Sequence, residues 1–445
     1  MSNQDCILLE ANDCCPFQNQ ADNGEAIQHF ISNTANWNIF RFSANLNKEE
    51  IPEIVLFNNR DAQWYAGRLV GEAIFDYKGQ NYKINITPRF GVLQLLRMLE
   101  EIFNVRFSES KNSLSMEHEF QYLIKKLISF LWLNMLANAN KHGLPKYNVE
   151  KIHKGATIRG SLNVRKSVNP LYLEKQLISR YKEKALDKTV VNILKQAYKI
   201  LLHDYYLGSL NIPSNALDAI EQLKSSGVNE AYISEGEYKK IAYKDIYLSF
   251  KPVVDLSWDI IRKKNIGNNR SDSNKKSFSF FIDMAEIWEL YLKSLLKKHL
   301  AKDGWRLRND LLLAYPQKNI QKKMIPDIVF QKDDSLMVWD AKYKRMKFDY
   351  FDYDREDFFQ IHTYINYYHQ IKKVIAGGLL FPITKPFDLE RQNLNKSATL
   401  FGKESTQTFF VIDGIDFSEY AKEDLTLELI KKEEHNFIER ISALT

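Results

Sequence analysis

Two short apolar runs stand out along the chain: Ile325-Pro326-Asp327-Ile328-Val329-Phe330 and Val338-Trp339-Asp340-Ala341-Lys342-Tyr343, with the polar Lys332-Asp333-Asp334-Ser335 between them. Runs of this length around a polar turn predict a β-hairpin. Upstream, residues 64–75 and 82–86 have extended spacing. Tyr77-Lys78-Gly79-Gln80-Asn81 is the turn between them, and Thr87-Pro88-Arg89-Phe90-Gly91 ends the second strand. Residues 92–103 (VLQLLRMLEEIF) show helical apolar spacing. A polar stretch at 108–113 precedes a long helix at about 117–140, stopped by Lys141-His142-Gly143-Leu144-Pro145. A β-like segment centred on 158–164 follows, then helical patterns near 187–203 and 214–225. Residues 261–276 are polar and basic and read as a mobile loop or linker, or alternatively as a grip for phosphates. Residues 278–300 predict an amphipathic helix. Beyond the hairpin come a helix near 357–368, a buried strand at 374–381 and a charged helix at about 426–444. Helix, hairpin, helix, strand is the order of an α/β sandwich. The expectation is therefore a multidomain α+β chain. A β-rich region spans 1–110, a mostly helical region 111–265, and an α/β sandwich 275–445.

Composition narrows the class. The chain has 445 residues, 44% hydrophobic and 27% charged, with a mean hydropathy of −0.40, which suits full cores and a soluble chain. Its most apolar segment, residues 127–136, is too short to span a bilayer, and the N-terminus lacks a basic and then apolar leader. The three cysteines, Cys6, Cys14 and Cys15, offer no zinc spacing and point to a reducing cytoplasm. The vicinal pair is assigned no function. A net charge of +6 fits contact with nucleic acid without requiring it. No G-x-x-x-x-G-K-[S/T] loop is present; Gly402-Lys403-Glu404-Ser405 has the tail without the upstream glycine.

The hairpin carries the chemistry. Side chains alternate along a strand, so Asp340 and Lys342 share a face. A pair of carboxylates with a lysine is what metal-dependent phosphodiester cleavage needs. Hard carboxylate oxygens hold Mg²⁺, and the lysine orients or deprotonates water. An isolated D-x-K is most often a solvated pair. Here Pro326 precedes Asp327, Asp340 ends an apolar strand core, and one tight hairpin separates the acids. Pro326, Asp327, Asp340 and Lys342 together match the PD-(D/E)xK nuclease signature. The preceding helix offers Glu289 as a further carboxylate, with Glu286 as fallback; either reads equally well as a solvated helix residue. Gln360 and Tyr364 lie four apart, on one helix face. The glutamine suits a phosphate or a metal ligand, and the tyrosine a supporting or purely core place. His362 and His369 read as structural or nucleic-acid-facing. The basic run 318–323 suits backbone phosphates or plain solvent.

These residues resemble the McrC family, the nuclease subunits of McrBC-type restriction systems. The likeness is strongest at Pro326-Asp327-Ile328-Val329, Trp339-Asp340-Ala341-Lys342-Tyr343-Lys344 and Gln360 to Tyr364. It extends to 284–289, Arg159-Gly160-Ser161-Leu162, Asn192-Ile193-Leu194-Lys195, Val70-Gly71 and Ile84-Asn85-Ile86-Thr87-Pro88-Arg89. The segment 110–265 departs from it in carrying more helix than a minimal member. The resemblance implies a Mg²⁺-dependent endonuclease of double-stranded DNA, methylated or not. It would serve antiviral defence together with a McrB-like AAA+ GTPase hexamer. Family members insert their N-terminal part into the motor's pore and stimulate its hydrolysis. Asp327, Asp340 and Glu289 would then hold the metal, with Lys342 and Gln360 completing the site. Two other readings stay open: a stand-alone nuclease of repair or transposition, and a catalytically inert adaptor that activates the motor.

Overall fold

The computed structural model describes residues 6–33, 39–42, 53–104, 116–210, 212–268, 279–309, 311–314, 322–343, 355–383, 399–400, 407–418 and 425–445. In chain order the first stretch gives β1 (Ile7–Asn12), α1 (Gln20–Ser32), β2 (Ile39–Phe42), β3 (Val55–Asn58), β4 (Gln63–Ala66), β5 (Leu69–Tyr77), β6 (Gln80–Thr87) and α2 (Val92–Phe103). The middle stretch gives α3 (Met116–Ala139), β7 (Lys146–Gly155), β8 (Ser161–Leu162), α4 (Val164–Glu174), β9 (Leu177–Leu186), α5 (Lys188–Asp204), α6 (Ser214–Ser225), α7 (Glu235–Lys239) and α8 (Phe250–Asn268). The last gives β10 (Ser279–Asp283), α9 (Met284–Leu300), β11 (Arg306–Arg308), β12 (Leu312–Ala314), β13 (Lys322–Met324), β14 (Ile328–Lys332), β15 (Ser335–Ala341), α10 (Arg355–His369), β16 (Lys373–Ile383), β17 (Phe409–Asp416) and α11 (Leu427–Ser442). The chain is thus a mixed α/β protein. Residues 117–278 form one compact unit, and residues 1–116 with 279–445 form the other.

The larger unit holds two five-stranded sheets. The first runs β1-β6-β5-β10-β2, with β10 antiparallel to β5 and parallel to β2. Its β5–β6 hairpin turns at Lys78 and Gly79, both left-handed at φ 52° and 78°, as a two-residue turn of primed type requires. Residues 64–75, expected as one strand, are two. The break falls at Gly67, where a Cβ would sit 2.0 Å from the Glu53 carbonyl oxygen. Residues 278–300, expected as one helix, begin instead with β10. Its Phe280, Phe281 and Ile282 are buried together, and a short all-apolar run has no period that separates strand from helix. Asp283 then caps α9 by accepting from the Ala285 N–H at 2.9 Å.

The second sheet runs β11-β14-β15-β16-β17. The β14–β15 hairpin is antiparallel, with Ile328 opposite Trp339, and β15, β16 and β17 are parallel. Ile361, Tyr364, Ile365 and Tyr368 of α10 pack on Val329, Val338, Leu379 and Phe410. Both α9 and α11 pack against the sheet outside that cluster, on β15 and β17. Trp288 of α9 donates its indole N–H to Leu380 O at 3.1 Å.

In the smaller unit, Trp132 of α3 donates to Ser257 Oγ of α8 at 2.7 Å, both buried. β7 and β9 form a long antiparallel pair, with β8 on β9. Of the β-like segment expected at 158–164, only Ser161–Leu162 is a strand. Residues 261–268, expected as loop or linker, continue α8, because Ile261-Arg262-Lys263-Lys264 are adequate helix formers. The rest of that stretch, 269–276, lies outside the described residues.

Candidate active site

The β14–β15 hairpin sets the two acids side by side. Asp327 stands just before β14, and its Oδ2 accepts the Ala341 N–H at 2.9 Å, which pins it to the end of β15. Asp340 lies one residue earlier on β15, with its side chain 1% exposed. Lys342 continues past the strand, its N–H bonded to Leu380 O. Because Asp340 and Lys342 share a face, the Lys342 ammonium lies 2.7 Å from Asp340 Oδ2. It also lies 3.3 Å from Asp357 Oδ1 and donates to Gln360 Oε1 at 2.9 Å. Gln360 Nε2 in turn donates to Tyr364 Oη at 3.1 Å, one helical turn on. Asp327, Asp340, Lys342, Gln360 and Tyr364 are thus brought together.

Burial dominates the electrostatics. It pushes the Asp327 carboxyl well above the usual range, and the charges of Asp340 and Glu289 push it further. Burial likewise raises Asp340, against the pull of Lys342. Lys342 is held firmly protonated, the attraction of Asp340 and Asp357 outweighing its own burial. Glu289 faces the same cavity as Asp327 and accepts from Lys293 Nζ at 2.7 Å, one turn along α9. Glu286 is buried and is not among the residues lining that cavity. His362 bonds Phe358 O at 2.7 Å through Nδ1 and lies between the Phe358 and Phe410 rings, so its place is structural. His369 bonds Thr408 Oγ1 at 3.0 Å. Of the basic run, residues 318–321 lie outside the described residues, as does 402–405. Asp357 carried no site role in the sequence reading. Its position three residues before Gln360 on α10 is the signal that places it on the lysine's face.

A cavity of about 740 Å³ opens over these groups. One wall is Glu289, Asp327, Lys342 and Asp357; another comes from the β3–β4 hairpin and the segment after it. Behind Lys342, the Tyr343 ring is buried against the Arg89 guanidinium at 4.4 Å and edge-on to Phe90. Arg89 follows β6, and its N–H donates to Asp13 Oδ1 at 2.6 Å. The first sheet's strand ends therefore support the residue next to the lysine.

Among the described residues, no three His, Cys, Asp or Glu side chains form a ready-made ion cage. The donor set nevertheless suits a hard divalent cation. Two buried carboxylates repel one another, Asp340 Oδ1 has no hydrogen-bond partner among the described residues, and the Lys342 ammonium stands where positive charge is required. No disulfide joins Cys6, Cys14 and Cys15, and Cys14 lies on the cavity wall. Among the described residues no helix is long and apolar enough to cross a membrane.

Residues 67–382, more than two thirds of the chain, match the family described as McrBC 5-methylcytosine restriction system component. No curated protein matches the chain. Two of the solved structures to which the chain is similar are McrBC assemblies. One is a half-complex from a tetradecameric assembly of Thermococcus gammatolerans McrB AAA+ hexamers with bound McrC. The identity is 15%, over 99% of this chain and 100% of that one, with a TM-score of 0.46. The other is the Thermococcus gammatolerans McrBC complex, at 14% identity over 66% of this chain and 87% of that one, with a TM-score of 0.31.

Proposed function

The chain belongs to the McrBC 5-methylcytosine restriction system component family, and from that premise we propose that it is the system's Mg²⁺-dependent DNA endonuclease subunit, of PD-(D/E)xK type. The observation that carries this reading is the convergence on Lys342 Nζ. Asp340, Asp357 and Gln360 all lie within 3.3 Å of it, with Asp327 locked beside them. Asp327, Asp340 and Glu289 would hold the metal, which when bound supplies a Lewis acid for the phosphoryl oxygen and eases ionisation of water. The chain's own residues do the positioning. The Lys342 ammonium, fixed on three sides, places its positive charge beside the phosphate's non-bridging oxygen. Gln360, itself braced by Tyr364, fixes that ammonium's direction. Asp327, held by the Ala341 N–H, keeps one carboxylate edge toward the cavity. No phosphate-binding loop for a nucleotide is present in the sequence, in keeping with an AAA+ GTPase partner, McrB-like and hexameric, that this chain stimulates.

Asp340→Ala tests this. With Mg²⁺, the partner motor and GTP, cleavage of plasmid DNA is expected to fall at least about 100-fold. Stimulation of the partner's GTP hydrolysis is expected to remain. Cleavage surviving in that variant sinks the assignment of the site. Cutting by the wild-type chain with neither partner nor nucleotide replaces it with a stand-alone nuclease.

A further inference from the structure

The cavity's second wall has no assigned role. It comes from a different part of the chain than the carboxylates, from β3, β4 and the two residues that follow. This wall is held firmly at its base. The Ala66 N–H donates to Cys15 O at 2.9 Å and the Gly67 N–H to Ile54 O at 2.8 Å. Gly67 approaches Glu53 so closely that no side chain fits. Toward the cavity the same hairpin presents Leu56 and Phe57, 44% and 46% exposed. Phe57 rests on Trp64 with ring centroids 4.6 Å apart, so its ring is braced rather than loose.

Next to the hairpin stands Arg68. Asp283 holds its guanidinium along one edge, Nε at 3.1 Å and Nη2 at 3.2 Å. Nη1 has no hydrogen-bond partner among the described residues, and the side chain is 37% exposed. Asp283 also caps α9, the helix that carries Glu289, so Arg68 is fixed to the same frame as the carboxylates. Among the described lining residues, Arg68 and Lys342 are the cations, against Glu53, Glu289, Asp327 and Asp357. Lys342 is already engaged by three groups. A polyanion entering this acidic cavity therefore meets one cation with a donor to spare, and the same cavity presents a braced, exposed aromatic ring. Guanidinium and aromatic ring are the pair that recognises a sugar-phosphate strand, the one by its phosphate and the other by its base.

We propose that the β3–β4 hairpin is the second wall of the nuclease cleft and holds one DNA strand there, with Arg68 gripping a backbone phosphate and Phe57 stacking on a base. This rests on the nuclease reading above. The test uses the full chain, with DNA affinity measured by fluorescence anisotropy on a labelled duplex across a salt series, with Ca²⁺ in place of Mg²⁺. Phe57→Ala is expected to weaken binding about fivefold. Arg68→Ala is expected to weaken it about tenfold and to lower the slope of log affinity against log salt by roughly one. Arg68→Lys keeps the charge and is expected to restore that slope, which a merely structural role for Arg68 would not predict. Unchanged affinity in both Phe57→Ala and Arg68→Ala overturns the proposal. Asp340→Ala assayed for cleavage in parallel separates the two readings. If Asp340 is essential while the hairpin variants bind as wild type, the nuclease reading stands and the wall falls. A wild-type chain that binds no DNA overturns both.

Discussion

Asp327 shows how a residue's environment sets function against stability. Its carboxyl is raised by burial and by the charges of Asp340 and Glu289. A group whose folded pKa lies above its unfolded value binds its proton more tightly when folded. Stability therefore falls as pH climbs from the ordinary 3.8 through the raised value. At neutral pH and without a cation, burying Asp327 therefore costs the fold stability. Asp327→Asn keeps an acceptor for the Ala341 N–H and removes the charge. Without divalent metal at pH 7 it is expected to stabilise the chain by about 1 kcal/mol, on the order of 2 °C in melting temperature. The gain should fade toward pH 4, where the wild-type carboxyl is protonated. A lowered melting temperature at pH 7 contradicts this account. Asp327, Asp340 and Lys342 were legible as a group because strand alternation alone puts acid and lysine on one face. Asp357 was not, because an acid in the first turn of a helix reads first as a partner of the helix dipole. Arg68 was hidden more deeply. Its neighbours at the site, Asp283 and Glu289, lie more than two hundred residues away in sequence.

At the scale of elements, the sequence spoke clearly wherever one face is buried. The hairpin at 328–341, α5 behind its Asp187 cap, α6 and α10 fall close to where periodicity put them. It was silent about β7 and β9, whose residues are exposed or half-buried along both faces, all but Ser179, and so carry no period-two signal. It also misjudged β10, whose apolar run merges into α9. The element that aims the site is α10, since Asp357 and Gln360 ride on it. Its seat depends on Gly377 of β16. A Cβ there would lie 2.6 Å from Val338 O and 3.0 Å from Ile365 Cδ1. Gly377→Ala is therefore expected to lift α10 from the sheet, at a cost of about 1–3 kcal/mol. Cleavage well below the melting temperature should also fall, because Gln360 moves with the helix. Wild-type melting and wild-type cleavage in this variant mean that α10 is not so tightly seated.

At the scale of the whole molecule, the regions that flank residues 117–278 are one body. The first sheet needs β10 to join β5 to β2. Arg97 of α2 makes a two-nitrogen pair with Glu434 of α11, both bonds at 2.8 Å, and Tyr291 of α9 donates to the same carboxylate at 2.6 Å. These groups are largely buried, so removing one partner strands a charge at a cost of roughly 3–5 kcal/mol. Phe90 stacks on Phe417 at 4.5 Å, closing the same seam. Sequence patterning marks where such a region begins but carries no trace of pairings between strands so far apart in the chain. A stability experiment follows. Residues 275–445 expressed alone lose the arginine partners of Glu434, Asp283 and Tyr343, along with the cavity's second wall. They are expected to be poorly soluble and unable to cut DNA even with Mg²⁺ and the partner motor. Co-expression with residues 1–116, which supply Arg97, Arg68 and Arg89, should recover a soluble complex. A well-folded, active 275–445 fragment would show instead that the first sheet is an accessory to the catalytic sheet rather than part of its support.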